Sequence, residues 1–279
     1  MSDRGLASPT FTPPPAERRV PILTPLGELS NDFFEWFGSL GIFAWNVARS
    51  ACAPPFEGRE LVRQLDEIGS KSLPLVALAG SAIGVVLAMQ ARQSLTQFGA
   101  KSLFPSAIVY SVVQEMGPII TGLVVSGRVG AGIGAELASM KVSEQIDALE
   151  VSAISPYRFL AAPRILACIL MMPLLTVAAD FCALLMGWFA NALAEPMSLH
   201  RFMESGFNGA TLSTFLPPTL KTAAFGLIVG LISCFQGMTT TGGAEGVGRA
   251  ATKSVVLASL FVIVADVVLV KFILVVFPI

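Results

Sequence analysis

Five long apolar runs alternate with short polar stretches along this chain, and each is about the length a bilayer core requires. The first, residues 73–91, carries no charge. The second, 104–127, holds Glu115 near its middle, with Gly117 and Pro118 just after it. The third lies within 165–193 and contains Pro173 and Asp180; the fourth, 216–235, has Lys221 toward its outer end. The fifth, 255–276, carries Asp266 and Lys271. This pattern predicts an all-α, polytopic membrane protein of about five transmembrane helices. Pro118 lacks a backbone donor and is expected to kink or break the second span. Gly80/Gly84 and Gly226/Gly230 form GxxxG pairs that let a neighbouring helix approach closely.

Between the second and third runs sits a charged segment in which Val142, Ile146, Leu149 and Ala153 recur at helical spacing. Lys141, Glu144, Asp147 and Glu150 fall on other faces. Such a helix is too short to cross the bilayer, so it rests on the surface or docks into a partner. Its polar face is net acidic, which suits a basic groove on a protein better than an anionic membrane.

Three stretches precede the first span. Residues 1–25 are polar and proline-rich and predict a disordered tail, with no apolar core of a signal peptide after Arg18 and Arg19. Residues 33–47 are rich in Phe and Trp and too short to span comfortably, which predicts an in-plane interfacial helix. Residues 57–71 alternate charged and apolar positions and predict a connecting helix. The expected organisation is a tail (1–25), interfacial and connecting helices (26–72) and a transmembrane domain (73–279). The stretch 236–254, rich in glycine and threonine, reads as a loop.

Composition agrees: of 279 residues 54% are hydrophobic and 13% charged, which excludes a soluble core, and a net charge of −1 excludes the basic stripe of a nucleic-acid binder. The four cysteines are scattered without CxxC spacing and read as small apolar residues, and with one histidine, His200, neither a His-based metal site nor a Ser-His-Asp triad is expected. No metal or cofactor is expected. The dipeptide Gly-Lys never occurs, so there is no phosphate-cradling GxxxxGK[ST] loop. Gly130, Gly132 and Ala135 match GxGxxG/A but follow an apolar helix rather than a strand, and Gly130 with Gly134 reads better as a packing pair. Any ATP-driven work therefore falls to another chain.

The wording EMGP…SGRVGAGIGAELASM…EQIDAL…SPYRFLAAPR, with GGAEGVGRAATKSVV later, resembles the MlaE/YrbE family of permease subunits from ABC-type lipid transporters that work with MCE proteins. The resemblance runs from about Leu73 to the C-terminus. It implies a homodimer in the bacterial inner membrane, a separate ATPase, a periplasmic MCE partner, a small cytoplasmic regulatory subunit and a phospholipid substrate. It also implies that the EQIDAL region, Glu144, Gln145, Ile146, Asp147 and Leu149, contacts the ATPase. Gly242 to Arg249 is a second candidate contact. Lys and Arg gather in the tail, the charged segment and the last loop, leaving Arg92, Lys101 and Arg201 for the other side. That bias puts the N-terminus and the docking helix in the cytoplasm.

Glu115 is the sharpest residue, because a charge at the bilayer centre costs at least ~2.5–3.5 kcal/mol and needs a partner or a polar cavity. Glu115, Gln114, Tyr110 and Met89 are the candidate substrate-binding residues. Gln114, or Ser111 of a neighbouring subunit, is a candidate hydrogen-bond donor to Glu115, and Asp266 is expected to satisfy Lys271. Arg128, Glu136 and Arg164 are expected to fix the docking segment through ion pairs, with Pro118 as a structural residue. The alternative is a proton-coupled secondary transporter using Glu115, Asp180 and Asp266, although the chain shows no internal repeat. A third reading is a membrane scaffold without transport.

Overall fold

The computed structural model describes residues 24–51, 58–208 and 212–276. Among them there is no strand, and five helical segments are long and apolar enough to cross a membrane. A first unit ends at Gly41 and a second begins at Ile42. Helix α1, Thr24–Ala51, is longer than the expected 33–47 element. Pro25 falls in its first turn, where a missing donor costs nothing, so the helix starts earlier than the aromatic cluster suggests. Most of the expected tail, residues 1–23, lies outside the described residues.

Within the second unit, α2 (Gly58–Ile68) buries Gln64 and Ile68 and packs along α8, so it is part of the body and not merely a connector. Helix α3 (Leu73–Gln97) runs past the end of its apolar stretch, through Arg92 to Gln97. The second span extends furthest beyond expectation. It is built of α4 (Phe104–Ser111), α5 (Gly117–Val125) and α6 (Ala131–Val142), joined end to end by two π-helical turns, Val112–Met116 and Ser126–Gly130. Pro118 does not break it. The wide turn inserts one residue, and Pro118 then occupies the first turn of α5, where no donor is called for. Half of the expected surface segment thus belongs to the spanning helix.

A seven-residue helix α7 (Gln145–Val151) follows, then a π-turn at Tyr157–Ala161 and α8 (Ala162–Ala192). Helix α9 (Leu199–Gly206) interrupts the polar connection and drives the fully buried Phe202 against Phe104 of α4. Helix α10 (Leu212–Met238) and α11 (Gly243–Val276) complete the body. The stretch expected as a long loop is mostly helix; only residues 239–242 separate α10 from α11, and Gly242 and Gly243 take positive φ of 96° and 64° at the turn.

Helix α8 is the central post: α3, α10 and α2 all pack on it. Small residues make this possible. A methyl on Gly84 would strike the carbonyl oxygen of Ala183, and one on Gly226 the carbonyl of Cys168. Backbone therefore meets backbone across α3/α8 and α10/α8, the close approach that drives helix association where lipid removes the hydrophobic incentive. On the other side Gly130 and Gly134 make room for short hydroxyl side chains, Ser233 of α10 and Ser254 of α11. Buried Cys168 and Cys234 fill core positions as small apolar groups. Because the Ala183 carbonyl cannot move aside, Gly84→Ala should lower stability by about 1–3 kcal/mol. Gly132→Ala, whose methyl meets nothing within 4 Å, should be neutral or slightly stabilising. Thermal unfolding of both variants in the same detergent checks the contrast.

Candidate functional site

Three spans bring one ionisable group each to the same depth. At 1.5 Å per residue, Glu115, Lys221 and Asp266 stand about 16, 14 and 15 Å along their helices from the same end of the body. Lys221 Nζ lies 3.1 Å from Glu115 Oε2 and 3.0 Å from Asp266 Oδ1. Its third ligand is the Gln114 carbonyl at 3.0 Å. That carbonyl is available because the residue four further on is Pro118, which has no N–H to offer it. The proline and the wide turn therefore build half of the ammonium's cradle. Lys221 is all but sealed from solvent, Asp266 nearly so, while the Glu115 side chain is 40% exposed. One cation between two carboxylates leaves a net negative group whose open edge belongs to Glu115.

These partners differ from those expected. Asp266 satisfies Lys221 of α10, not Lys271 of its own helix, and Glu115 is met by Lys221 of the same chain. The helical period explains the first point: five residues place Asp266 and Lys271 on different faces. Gln114 contributes its carbonyl to the cluster, and Tyr110, one helical turn before it, rests its ring 6.3 Å from Phe215. Met89 is exposed on α3, which packs on α8 and also on α4 and α5 either side of Glu115. Asp180 is buried on α8 with Oδ1 against Gly117, just past Glu115 in the chain, and that oxygen has no hydrogen-bond partner. Lys221 is the group within ion-pair reach of Glu115 and Asp266.

The second candidate region is the segment around α7, at the opposite end of the body. The expected face Val142–Ile146–Leu149–Ala153 is not continuous. Glu144 and Ala153 both adopt left-handed backbone, φ 59°, which confines the helix to seven residues. Ile146 is buried, Leu149 half-buried, and Val142 and Ala153 exposed. Lys141 closes the corner onto Asp147 at 2.6 Å. Glu144, Gln145 and Glu150 project into solvent beside Val151, which is 89% exposed.

Of the residues expected to hold this segment, Arg164 and Glu136 pair at 2.8 Å, with Arg164 fully buried and also donating to the Leu160 carbonyl. Arg128 has different partners from those expected. It donates to Ser72 Oγ at 2.7 Å and to the Glu67 carbonyl, clamping the α2–α3 junction to the second π-turn. The stretch 242–249 forms the turn and first two helical turns of α11, with Arg249 on Glu245. Among the described residues no group of His, Cys, Asp and Glu could hold a metal ion.

Lys221→Met strips the cation from two carboxylates and should destabilise the protein by about 3–5 kcal/mol. Replacing all three groups, as Lys221→Met with Glu115→Gln and Asp266→Asn, should recover much of that loss. Thermal unfolding of the single and triple variants in detergent reads the difference.

Comparison with known proteins is consistent with this architecture. The family model described as "Permease MlaE" matches residues 61–272. A probable ABC transporter permease of Rickettsia felis is 34% identical over 88% of this chain and 95% of its own length. A probable ABC transporter permease of Synechocystis is 31% identical over 75% of this chain and 79% of its own. The chloroplastic protein TRIGALACTOSYLDIACYLGLYCEROL 1 of Arabidopsis thaliana is 31% identical over 89% and 71%. A multi-pass helical body of this kind, matched over most of its length, belongs to the MlaE permease family of ABC transporters.

Proposed function

We propose that this chain moves phospholipid between the bacterial inner membrane and a periplasmic MCE partner, as one half of a homodimer powered by a separate ATPase. The observation that carries the reading is the Glu115–Lys221–Asp266 group, buried on one side and open at Glu115 on the other. A carboxylate turned outward in the middle of a span cannot face lipid tails cheaply. A cavity shared with a second copy gives it a polar neighbour, and Gln114 and Tyr110 share its helix. Acyl chains would run along the exposed apolar faces while the headgroup meets this polar end. At ~0.8 kcal/mol per buried CH₂, two long chains crossing water would cost on the order of 20 kcal/mol or more, so a continuous apolar path is required. The name of the Arabidopsis relative, which contains that of a glycerolipid, supports a lipid substrate.

Power would enter at α7. Its exposed acidic edge, Glu144 and Glu150 with Gln145 between, offers charge for a basic groove, and Val151 offers an apolar contact. Packed directly after α6, a push on α7 is transmitted along the one continuous helix that carries Glu115 at its other half. The Lys/Arg distribution supports an N-terminus and an α7 in the cytoplasm, where a nucleotide hydrolase works. A small regulatory subunit would sit on the same side.

Charge reversal at two exposed positions tests this. Glu144→Lys with Glu150→Lys should reduce co-purification of the ATPase at least tenfold and abolish ATP-dependent lipid transfer in reconstituted vesicles. The thermal unfolding of the permease itself should stay unchanged. Lipid transfer by the purified chain without any hydrolase would overturn the reading.

A further inference from the structure

At the end of the body away from α7, a cavity of about 230 Å³ opens between the end of α3, the start of the second span and the α8–α9 connection. Three cations line it, Arg92, Lys101 and Arg201, with a single carboxylate, Glu195. Glu195 Oε2 is shared by Arg92 at 3.8 Å and Lys101 at 3.6 Å, both beyond hydrogen-bond reach. The donors are therefore drawn toward Glu195 by charge but not filled by it. Asn191, buried at the lining, adds a side-chain amide. Thr96 and Ser102 add hydroxyls, and Leu95, Phe104, Pro196 and Met197 form the apolar part of the wall. Just outside, Phe98, Leu103 and Leu193 are exposed at 82%, 57% and 75%, the level at which lipid tails give way to headgroups.

We infer that this cavity is an anion site for the phosphate of a lipid headgroup, held by Arg92, Lys101 and Arg201 at the membrane surface. Guanidinium forks match phosphate oxygens in pairs, and an ammonium completes the charge. Three positive groups against one negative leave a surplus that a headgroup phosphate would neutralise. The apolar part of the wall and the greasy rim of Phe98, Leu103 and Leu193 favour an amphiphile over an acidic protein segment. The site is separate from the Glu115 group, lying on the other side of the α4 helix's length and built from different elements. It rests on the sequence and geometry of this end alone and holds whether or not the chain transports lipid.

Trp188 reports on the cavity directly, because its indole N–H donates to the Met197 carbonyl at 2.9 Å and Met197 is a lining residue. In a Trp36→Phe/Trp45→Phe background it is the remaining tryptophan of three. The full chain in phosphatidylcholine nanodiscs would be titrated with dioctanoyl phosphatidic acid, with inorganic phosphate and with polyglutamate, following Trp188 emission. A saturable shift with the short-chain lipid is expected, weakened at least tenfold by Arg92→Gln with Arg201→Gln. Lys253→Gln, a distant surface cation, should leave it unchanged. Tighter binding of the lipid than of inorganic phosphate assigns the site to headgroups; equal binding keeps the phosphate site and assigns it to the free ion. No saturable shift with either phosphate compound, a response to polyglutamate alone, or equal weakening by Lys253→Gln would each overturn the inference.

Discussion

An ammonium group buried among three helices in an apolar slab has few ways to exist, and this one constraint organises the body. Lys221 needs oxygen ligands, and hydrocarbon supplies none. Two carboxylates and a freed carbonyl converge on it from the second, fourth and fifth spans. Those contacts lock α10 and α11 onto the second span at mid-depth and fix their rotation, since a quarter turn of any of the three would strand a charge. Non-directional apolar packing could not specify that register alone.

Backbone supply and backbone approach serve the same end. Pro118 withholds a donor, the π-turn before it absorbs the extra residue, and the Gln114 oxygen is released to Lys221. The chain thereby converts a defect in its helical ladder into a ligand. Around it, glycines at Gly84, Gly226 and Gly134 bring neighbouring backbones or short hydroxyl side chains into contact. Tight contact and polar ligation replace the hydrophobic effect, which does little between helices already in lipid. The result is a rigid frame on which a single edge, the exposed side of Glu115, stays open.

Polarity at the two ends differs in kind. The α7 end presents acid on a short helix cornered by left-handed Glu144 and Ala153, with Lys141 on Asp147. The far end presents three cations around a cavity with one carboxylate to share. A continuous helix from Lys101 to Val142 connects these ends past the buried cluster.

The apolar runs alone determined the class of fold, five spans and no strands, because length and hydrophobicity decide whether a segment partitions into a bilayer. The GxxxG spacings likewise marked the contact faces of α3 and α10. Helix ends were less legible: Arg92 to Gln97, the second half of the second span and the start of α11 look polar, yet a helix continues wherever its backbone groups have no better partners. The periodicity around α7 points to a longer element because it is blind to a residue such as Glu144 turning left-handed. Pairing was the true gap. Glu115, Lys221 and Asp266 were each visible as costly charges, and their equal depths could have been counted from the span ends. Which faces meet, however, depends on helix rotation, and that is decided only when three helices pack and the lone ammonium selects the oxygens within its reach.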